Sequence, residues 1–377
     1  MIRLSASTHS PTYSSSTKDT RLANQISSLL TLLESFGSCK TTANASASQH
    51  GRYLELHFSS SADPVRSNGR LTGAKVLTFG LNKTRTFRLE RDERSFHVFY
   101  QLLAGASADE RDRLELEDPT AYQVLARSGC YRLPGGPFSD DSTQFDELRI
   151  AMANLGFKAK HLHSIFSLLV TILLLGNIEF ADPPSAGTVT YDSAQVHHHS
   201  RPVLEQVAAR LGLDADDLER ALTNETRWIR RELVSSFLDS QAARKQTDTL
   251  MRDLYAILFA FVVETANRKL APPEFEDEEG ADAEAGAVER DTRIVLLDLP
   301  GYQNKQVSAP SDARNTYAQP LVNTTGTNNV DEFAVNFANE MLHSYITRRV
   351  FDDHADPDTS RCLQDGVRMP SIMTMDN

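Results

Sequence analysis

The sequence predicts an α/β protein, and three observations support this prediction. Arg293–Gln303 begins as an unbroken apolar run that closes on Asp298 and a Pro-Gly pair, which is typical of a central strand buried on both faces and ending at a tight turn. Arg52–Phe58 alternates apolar and polar side chains, as a half-buried strand does. Several longer stretches carry apolar residues at three-and-four spacing, which predicts amphipathic helices around these strands.

Composition excludes several classes of protein. The 377 residues include 51 acidic and 39 basic side chains, so the net charge of −12 argues against a nucleic-acid partner or an anionic membrane surface. Three cysteines that lie far apart in sequence predict neither a disulfide framework nor a Cys-x-x-Cys metal site. The longest apolar stretch, Ile165–Leu175, is about half of the roughly 20 residues that span a bilayer, so we expect no membrane insertion.

The elements at the start of the chain follow from local patterns. Residues 6–20 are rich in Ser and Thr, which predicts a loop, and Arg21–Phe36 has the apolar period of a helix that Gly37 can terminate. Residues 38–51 are small and polar and predict another loop. A second strand is expected over Lys75–Phe79.

Farther along, helical periodicity dominates. Residues 272–291 are acidic and low in complexity, which predicts a flexible insertion, and 304–329 reads as a polar loop. A small hairpin is expected from Ile178–Phe180 and Thr188–Tyr191. Helices are predicted over Phe96–Leu103, Pro119–Tyr131, Thr143–Leu155, Lys160–Leu175, Pro202–Leu211, Ala215–Leu222, Leu238–Leu270 and Val330–Val350.

Two short motifs have a chemical and a purely structural interpretation. Asp298-x-x-Gly301 at the end of a strand suits a phosphate-sensing switch that holds hydrated Mg²⁺, but the same pattern also forms ordinary Asx-turns. His197, His198 and His199 suggest a metal site. Because consecutive residues point in different directions on a regular element, and no Cys or acidic partner has ligand spacing, a solvated loop is favoured for the histidines.

Four segments in one order resemble the myosin motor family. They are Leu33–Tyr53, which reads LESFGSCKTTANASASQHGRY, Ser95–Gly105, which reads SFHVFYQLLAG, Leu173–Phe180, which reads LLLGNIEF, and Asp298–Gln303, which reads DLPGYQ. The resemblance implies a P-loop NTPase-type mixed central sheet with many surrounding helices, in a single motor-like domain over residues 1–377. The first and last of these segments correspond to switch I (38–51) and switch II (298–303).

The resemblance implies a nucleotide site. Asn44, Ser48 and Gly51 match switch I positions, and Asp298 and Gly301 match switch II positions. Ser48 and Asp298 stand where the family holds magnesium. The resemblance thus implies Mg-ATP as a cofactor, which we expect only in a full-length parent and not in this chain by itself.

Three switch positions depart from the family pattern. Gln49 replaces the switch I arginine and Gln303 replaces the switch II glutamate, so the ion pair that closes the site becomes at best a neutral hydrogen bond. Ala47 lacks a hydroxyl that family members place near the attacking water. Hydrolysis is expected to be very slow or absent. The paired change is coherent, because losing one partner alone would leave an unpaired buried charge at a cost of ~3–5 kcal/mol.

A phosphate-binding loop of the Gly-x-x-x-x-Gly-Lys-Ser/Thr type would precede the first helix in this family. Gly69–Lys75 has the wrong spacing, and Met1–Ser7 resembles the end of the helix that carries such a loop. The chain is therefore expected to be incomplete at both ends, beginning just after this loop and ending before most of the actin-binding surface.

The switch sequences look most like the myosin-motor-like domain of fungal chitin synthases. This resemblance implies targeting or tethering of a synthase along actin, on the cytoplasmic face of the plasma membrane and of secretory vesicles. The chain itself is not expected to synthesise chitin, because Glu225–Trp228 comes nearest to the Gln-x-x-Arg-Trp acceptor motif and lacks its glutamine. Alternatives are part of an ATP-driven motor, a scaffold that binds neither nucleotide nor actin, and a GTPase-like switch, for which Asn82–Arg85 fails to supply the guanine-reading motif.

Overall fold

The computed structural model describes residues 17–42, 44–59, 70–135, 140–183, 193–272, 291–302 and 330–349. The chain forms two compact units, Met1–Asp298 and Leu299–Asn377. The prediction of one domain over 1–377 stays a prediction. Gln303, the loop 304–329 and nearly all of the acidic segment 272–291 lie outside the described residues.

The first unit combines helices with short antiparallel sheets. Its helices are α1 (Thr17–Gly37), α2 (His97–Gly105), α3 (Ala108–Leu114), α4 (Gln123–Ala126), α5 (Asp141–Asn154), α6 (Ala159–Leu175), α7 (Arg201–Leu211), α8 (Ala215–Thr223) and α9 (Ser240–Leu270). Its strands are β1 (Ser38–Cys39), β2 (Ala47–Ser48), β3 (Gly51–Ser59), β4 (Arg70–Phe79), β5 (Phe180–Ala181), β6 (Gln195–Val196), β7 (Asn224–Ile229), β8 (Glu232–Phe237) and β9 (Asp291–Asp298).

Most helices lie where the apolar period predicts them. α1 buries Leu29, Leu33 and Phe36 as the pattern indicates, but it begins at Thr17, so the last four residues of the predicted loop 6–20 are helical and the others are not described. The predicted helix Pro119–Tyr131 is instead a 3₁₀ turn followed by the four-residue α4. No helix in the described part of the chain is long and apolar enough to cross a membrane.

The largest sheet has the strand order β4-β3-β9, and both of its pairings are antiparallel. The prediction that β9 is central and buried on both faces is wrong, because Ile294, Val295, Leu296 and Leu297 are 41 to 50% exposed. Among the described strands β9 has β3 as its neighbour on one side, so its apolar run lies at an edge. An α/β architecture is confirmed, whereas a P-loop NTPase-type mixed sheet stays a prediction.

Two smaller hairpins differ from expectation. β5 pairs with β6, so its partner is Gln195–Val196, while the predicted partner Thr188–Tyr191 lies outside the described residues. The β7–β8 hairpin was not predicted; it reverses at Arg230 and Arg231, both of which have positive φ. Its turn carries neither Gly nor Asn, the residues that usually mark such a reversal in a sequence.

Helix α9 organises the core of the first unit. The Tyr255 ring stacks on Phe96 with 4.4 Å between centroids, and its hydroxyl donates to the Phe36 carbonyl at 2.7 Å. The Asn267 amide accepts from the Val76 N–H at 2.9 Å and donates to the Val76 carbonyl at 2.8 Å. One long helix thereby fixes α1, α2 and β4, the elements on either side of the segment 38–51.

The second unit contains helix α10 (Val330–Thr347), close to the predicted Val330–Val350. Its predicted apolar stripe is exposed, including Phe333, Phe337 and Tyr345. Within this unit Asn339 donates from its amide to the Pro300 carbonyl at 2.8 Å.

Candidate functional site

The segment 38–51, predicted as a loop, contains a small hairpin. β1 pairs with β2 in the register Ser38↔Ser48 and Cys39↔Ala47. The Gln49 N–H donates to the Gly37 carbonyl at 2.8 Å and closes the base of the hairpin. A Cβ on Gly37 would lie 2.3 Å from the His50 ring, so only glycine fits where α1 meets this hairpin.

Asn44 and Ser46 form the tip of the hairpin. The Asn44 carboxamide oxygen accepts from the Ser46 N–H at 3.0 Å, which is an Asx-turn. The Ser46 hydroxyl donates to the Glu34 carboxylate at 2.8 Å and accepts from the His97 Nε2–H at 3.1 Å. The asparagine predicted to bind nucleotide is exposed, and its oxygen is engaged in the turn.

Ala47, Ser48 and Gln49 follow this tip. They are held by hydrogen bonds within the segment and by one hydrogen bond to Asn82. Ser48 donates its hydroxyl to the His50 carbonyl at 3.0 Å. Gln49 is buried, and its amide donates to the Ala47 carbonyl at 3.2 Å while its oxygen accepts from Asn82 Nδ2 at 3.2 Å. A neutral Gln–Asn contact therefore stands where the family resemblance places a charged arginine.

Gly51 and His50 fix the exit from the hairpin into β3. A Cβ on Gly51 would lie 2.4 Å from the Phe79 ring, so any side chain here would displace this partly exposed ring. His50 is buried, contacts Phe259 edge-on at 5.2 Å, and has Nδ1 3.2 Å from the Gly37 carbonyl. Burial lowers the pKa of His50 below its usual range.

The register of the large sheet places Asp298 opposite Arg52. The Arg52 Nη2 atom lies 2.7 Å from the Asp298 Oδ2 atom. Asp298 is thus next to the residue that follows Gly51. Gly301 belongs to the second unit and is exposed, and Gln303 is not described.

These residues do not fit a magnesium ion as they are arranged. The Asp298 carboxylate is already neutralised by a guanidinium, which would repel a divalent cation at the same oxygens. The Ser48 hydroxyl donates its hydrogen to a backbone carbonyl and keeps its oxygen lone pairs free, so the misfit lies at Asp298.

Sequence reasoning missed Arg52 and Asn82 as members of the site. Asn82 reaches Gln49 from 33 positions away in sequence, and Arg52 meets Asp298 across two paired strands. The sequence offered one signal for Arg52. In an alternating strand it lies on the same face as Leu54, which is two residues later. Finding its partner required the register of β9.

A charge-removing pair of substitutions measures how strongly Arg52 holds Asp298. We expect Arg52→Gln and Asp298→Asn to show a coupling energy of about 0.2–1 kcal/mol in a double-mutant cycle, because both side chains are partly exposed and solvent screens the pair. Chemical denaturation gives the four free energies of unfolding. A matched cycle on the exposed pair Arg220 and Asp217 is expected to give a coupling of the same order. A coupling near 3 kcal/mol for Arg52 and Asp298 would contradict the prediction.

Comparison with known proteins now identifies the family. Residues 3–282 match the sequence model described as the myosin head, or motor domain. The chain belongs to the myosin head family. The predicted membership of the myosin motor family is thereby confirmed, and the assignment of the switch residues stays a prediction.

The relatives of this myosin head chain include both chitin synthases and myosins. Chitin synthase 8 of Mycosarcoma maydis is 35% identical over 339 residues, which cover 90% of this chain and 14% of that protein. Chitin synthase 5 of Cryptococcus neoformans is 31% identical over 92% of this chain and 16% of its own length. Myosin-3 of Arabidopsis thaliana is 27% identical, again over 92% of this chain, and 25% of its length is covered. The chain spans a quarter or less of each of these proteins.

Proposed function

We propose that this chain is part of the myosin-head segment of a fungal chitin synthase. In this role it targets or tethers the synthase along actin for cell-wall chitin synthesis and does not hydrolyse ATP. The similarity to two chitin synthases supports the choice of parent. The observation that carries the proposal is the neutral hydrogen bond between Gln49 and Asn82 at the position of the switch I arginine.

The physical argument concerns the closing of a nucleotide site. A charge-assisted pair between arginine and glutamate is about twice as strong as a neutral hydrogen bond, and it orients the attacking water. Here the Gln49 side-chain amide donates to the Ala47 carbonyl of the hairpin and its oxygen accepts from Asn82, while Arg52 forms an ion pair with Asp298. Binding of Mg-ATP in the parent would require the Arg52–Asp298 pair to open. We therefore propose that nucleotide, where bound, stays unhydrolysed.

We also propose where in the cell the parent protein acts and which partner this segment binds. The parent would act at the plasma membrane and on secretory vesicles, with this segment on the cytoplasmic face and actin as its partner. An ATP-dependent actin-based motor is the second candidate, because Myosin-3 and other myosins are similar over about the same part of the chain. The two candidates differ in whether actin stimulates ATP turnover.

The test compares the purified parent synthase with the same protein lacking this segment. We expect deletion to abolish co-sedimentation with actin filaments while ATP turnover in the presence of actin stays equal in both proteins. Gln49→Arg serves as a probe of the site, and Arg220→Gln, an exposed substitution on α8, as its matched control; neither is expected to create actin-stimulated turnover. Turnover that rises with actin and disappears in Asp298→Ala would overturn the proposal and favour the motor. Equal actin co-sedimentation with and without the segment would overturn the tethering role.

A further inference from the structure

Three imidazole rings converge at the corner between β6 and α7. The ring centroids of His197 and His199 are 4.0 Å apart, and those of His197 and His198 are 4.4 Å apart. One ring nitrogen from each of the three histidines lies within 4.8 Å of the other two. The prediction that adjacent histidines point in different directions is wrong here, because His197 is extended and the chain then tightens into a 3₁₀ turn over His198–Ser200.

Backbone contacts hold this corner in place. The His197 N–H donates to the Glu179 carbonyl at 2.8 Å, and the Ser200 N–H donates back to the His197 carbonyl at 2.8 Å. The buried Ser200 hydroxyl accepts from the Glu179 N–H at 3.2 Å. The histidines therefore lie on a backbone that is tied to the β5–β6 hairpin on one side and to α7 on the other.

A carboxylate orients one of the rings. The Glu179 Oε2 atom lies 3.0 Å from His199 Nε2, and its Oε1 atom accepts from Gln123 Nε2 at 2.8 Å. A carboxylate bonded to one nitrogen of an imidazole fixes the ring and raises the basicity of the other nitrogen, which is the usual arrangement behind a metal-binding histidine. The sequence could not show this partner, because Glu179 precedes His199 by 20 positions.

The third ring carries an unsatisfied ligand atom. His197 Nδ1 is buried and has no hydrogen-bond partner within the part of the chain that is described. A buried polar atom of this kind is unusual, because such atoms are nearly always paired with protein or with an ordered ligand. The His197 ring belongs to the cluster of imidazoles, and its unpaired Nδ1 atom is independent of the contact between Glu179 and His199.

We propose that His197, His198 and His199 bind one divalent transition metal ion, such as Zn²⁺, with Glu179 orienting His199. Imidazole suits Zn²⁺, Ni²⁺ and Cu²⁺, whereas Mg²⁺ prefers oxygen ligands. Nitrogen ligands around tetrahedral zinc are about 3.3 Å apart, given a Zn–N distance of about 2.0 Å. The ligand atoms lie within 4.8 Å of one another, so they must approach by at most roughly 1.5 Å, which the exposed side chains of His198 and His199 can accommodate by rotation.

The site is separate from the switch I-like hairpin, and the proposal does not depend on the function proposed above. Metal binding at this site is expected to stabilise the fold. A metal ion bound to the folded corner and not to the unfolded chain stabilises the fold, so the melting temperature rises with metal concentration. The ion would tie the start of α7 to the β5–β6 hairpin.

The test titrates the full chain with Co²⁺ and Zn²⁺. We expect one Co²⁺ per chain, with the visible absorption bands of a nitrogen-ligated ion, and a melting temperature that rises with Zn²⁺ but not with the same concentration of Mg²⁺. His197→Gln and His199→Gln are each expected to weaken Co²⁺ binding by at least tenfold. Glu179→Gln, which removes only the orienting charge, is expected to weaken binding by about 10–100-fold.

A matched control separates this site from general binding by surface histidines. His163 is exposed on α6, and His163→Gln is expected to leave both the Co²⁺ bands and the Zn²⁺-induced rise in melting temperature unchanged. Equal affinity of the wild-type chain and the His197→Gln and His199→Gln variants would overturn the proposal. A rise in melting temperature that Mg²⁺ reproduces would also overturn it.

Discussion

Asp141→Asn is expected to lower the free energy of unfolding by about 3–5 kcal/mol. The Asp141 Oδ1 atom accepts from Arg94 Nη2 at 2.7 Å, and the Arg94 side chain is 0% exposed. The guanidinium carbon lies 3.8 Å above the Tyr100 ring, while Nε and Nη1 have no partner among the described residues. Removing the carboxylate charge would leave a buried cation with which no other carboxylate in the described residues forms an ion pair.

The size of this effect comes from the unpaired charge and not from a large net contribution of the ion pair. Burial raises the pKa of Asp141 even though Arg94 opposes the shift, so the cost of desolvating the carboxylate exceeds what the guanidinium returns. An apolar replacement of both partners, Arg94→Met with Asp141→Leu, is therefore expected to be much less destabilising than Asp141→Asn alone.

Urea denaturation of the full chain measures these differences. Asp217→Asn is the matched control, because Asp217 pairs with Arg220 on the exposed face of α8 and its loss is expected to change stability by less than about 1 kcal/mol. Similar losses in Asp141→Asn and Asp217→Asn would contradict the argument from burial. So would a double variant that is no more stable than Asp141→Asn.

The position of this pair also shows why its role cannot be read from the sequence. Helices α5 and α6 and strand β3 were predicted because their patterns are local, with neighbours three, four or two positions apart. Arg94 and Asp141 are separated by 47 positions and meet only after α2 packs against α5. The exposure of β9 was missed for a related reason, since an apolar run does not reveal how many strands flank it.

The residues of the candidate site likewise fall into two groups, those that a single segment reveals and those that meet only in the fold. Ser48, Gln49 and Gly51 were assigned from the resemblance of one continuous segment to switch I, and the structure brings them into one hairpin and its exit. Asn82 and Arg52 act through contacts across strands and turns, which local patterns do not encode. The convergence of the three histidine rings was missed because it arises where the chain changes from extended to 3₁₀ at His197 and not on a regular element.

Acidification from pH 7 to pH 5 is expected to cost about 2 kcal/mol of folding free energy through His97 alone. Burial lowers the pKa of His97 from 6.5 to about 3, and the nearby Arg94 charge adds to the shift. The Ser46 hydroxyl gives its hydrogen to Glu34, so His97 must donate from Nε2, and its buried Nδ1 atom is left unprotonated and without a partner among the described residues. A second proton would bind to Nδ1 and create a buried imidazolium, and this new N–H would have no hydrogen-bond acceptor among the described residues.

The sign and the pH range follow from this shift. Because the folded pKa of His97 lies below the unfolded one, its contribution to stability is fully present above pH 6.5 and is lost as the pH falls towards 3, where the total loss approaches about 5 kcal/mol. Burial also lowers the pKa of His50, so a smaller slope of the same sign remains when His97 is replaced.

His97→Gln isolates this contribution, because glutamine can still donate to the Ser46 hydroxyl but does not titrate in this range. Denaturation at several pH values from 7 to 4 should show a much shallower loss of stability in His97→Gln than in the wild-type chain. His163→Gln, an exposed substitution of the same type, should retain the full slope. If His97→Gln lost stability with acid as steeply as His163→Gln, His97 would not be the buried neutral base of this fold. A steep slope that depends on His97 would instead mean that burial keeps its Nδ1 atom unprotonated in the folded chain.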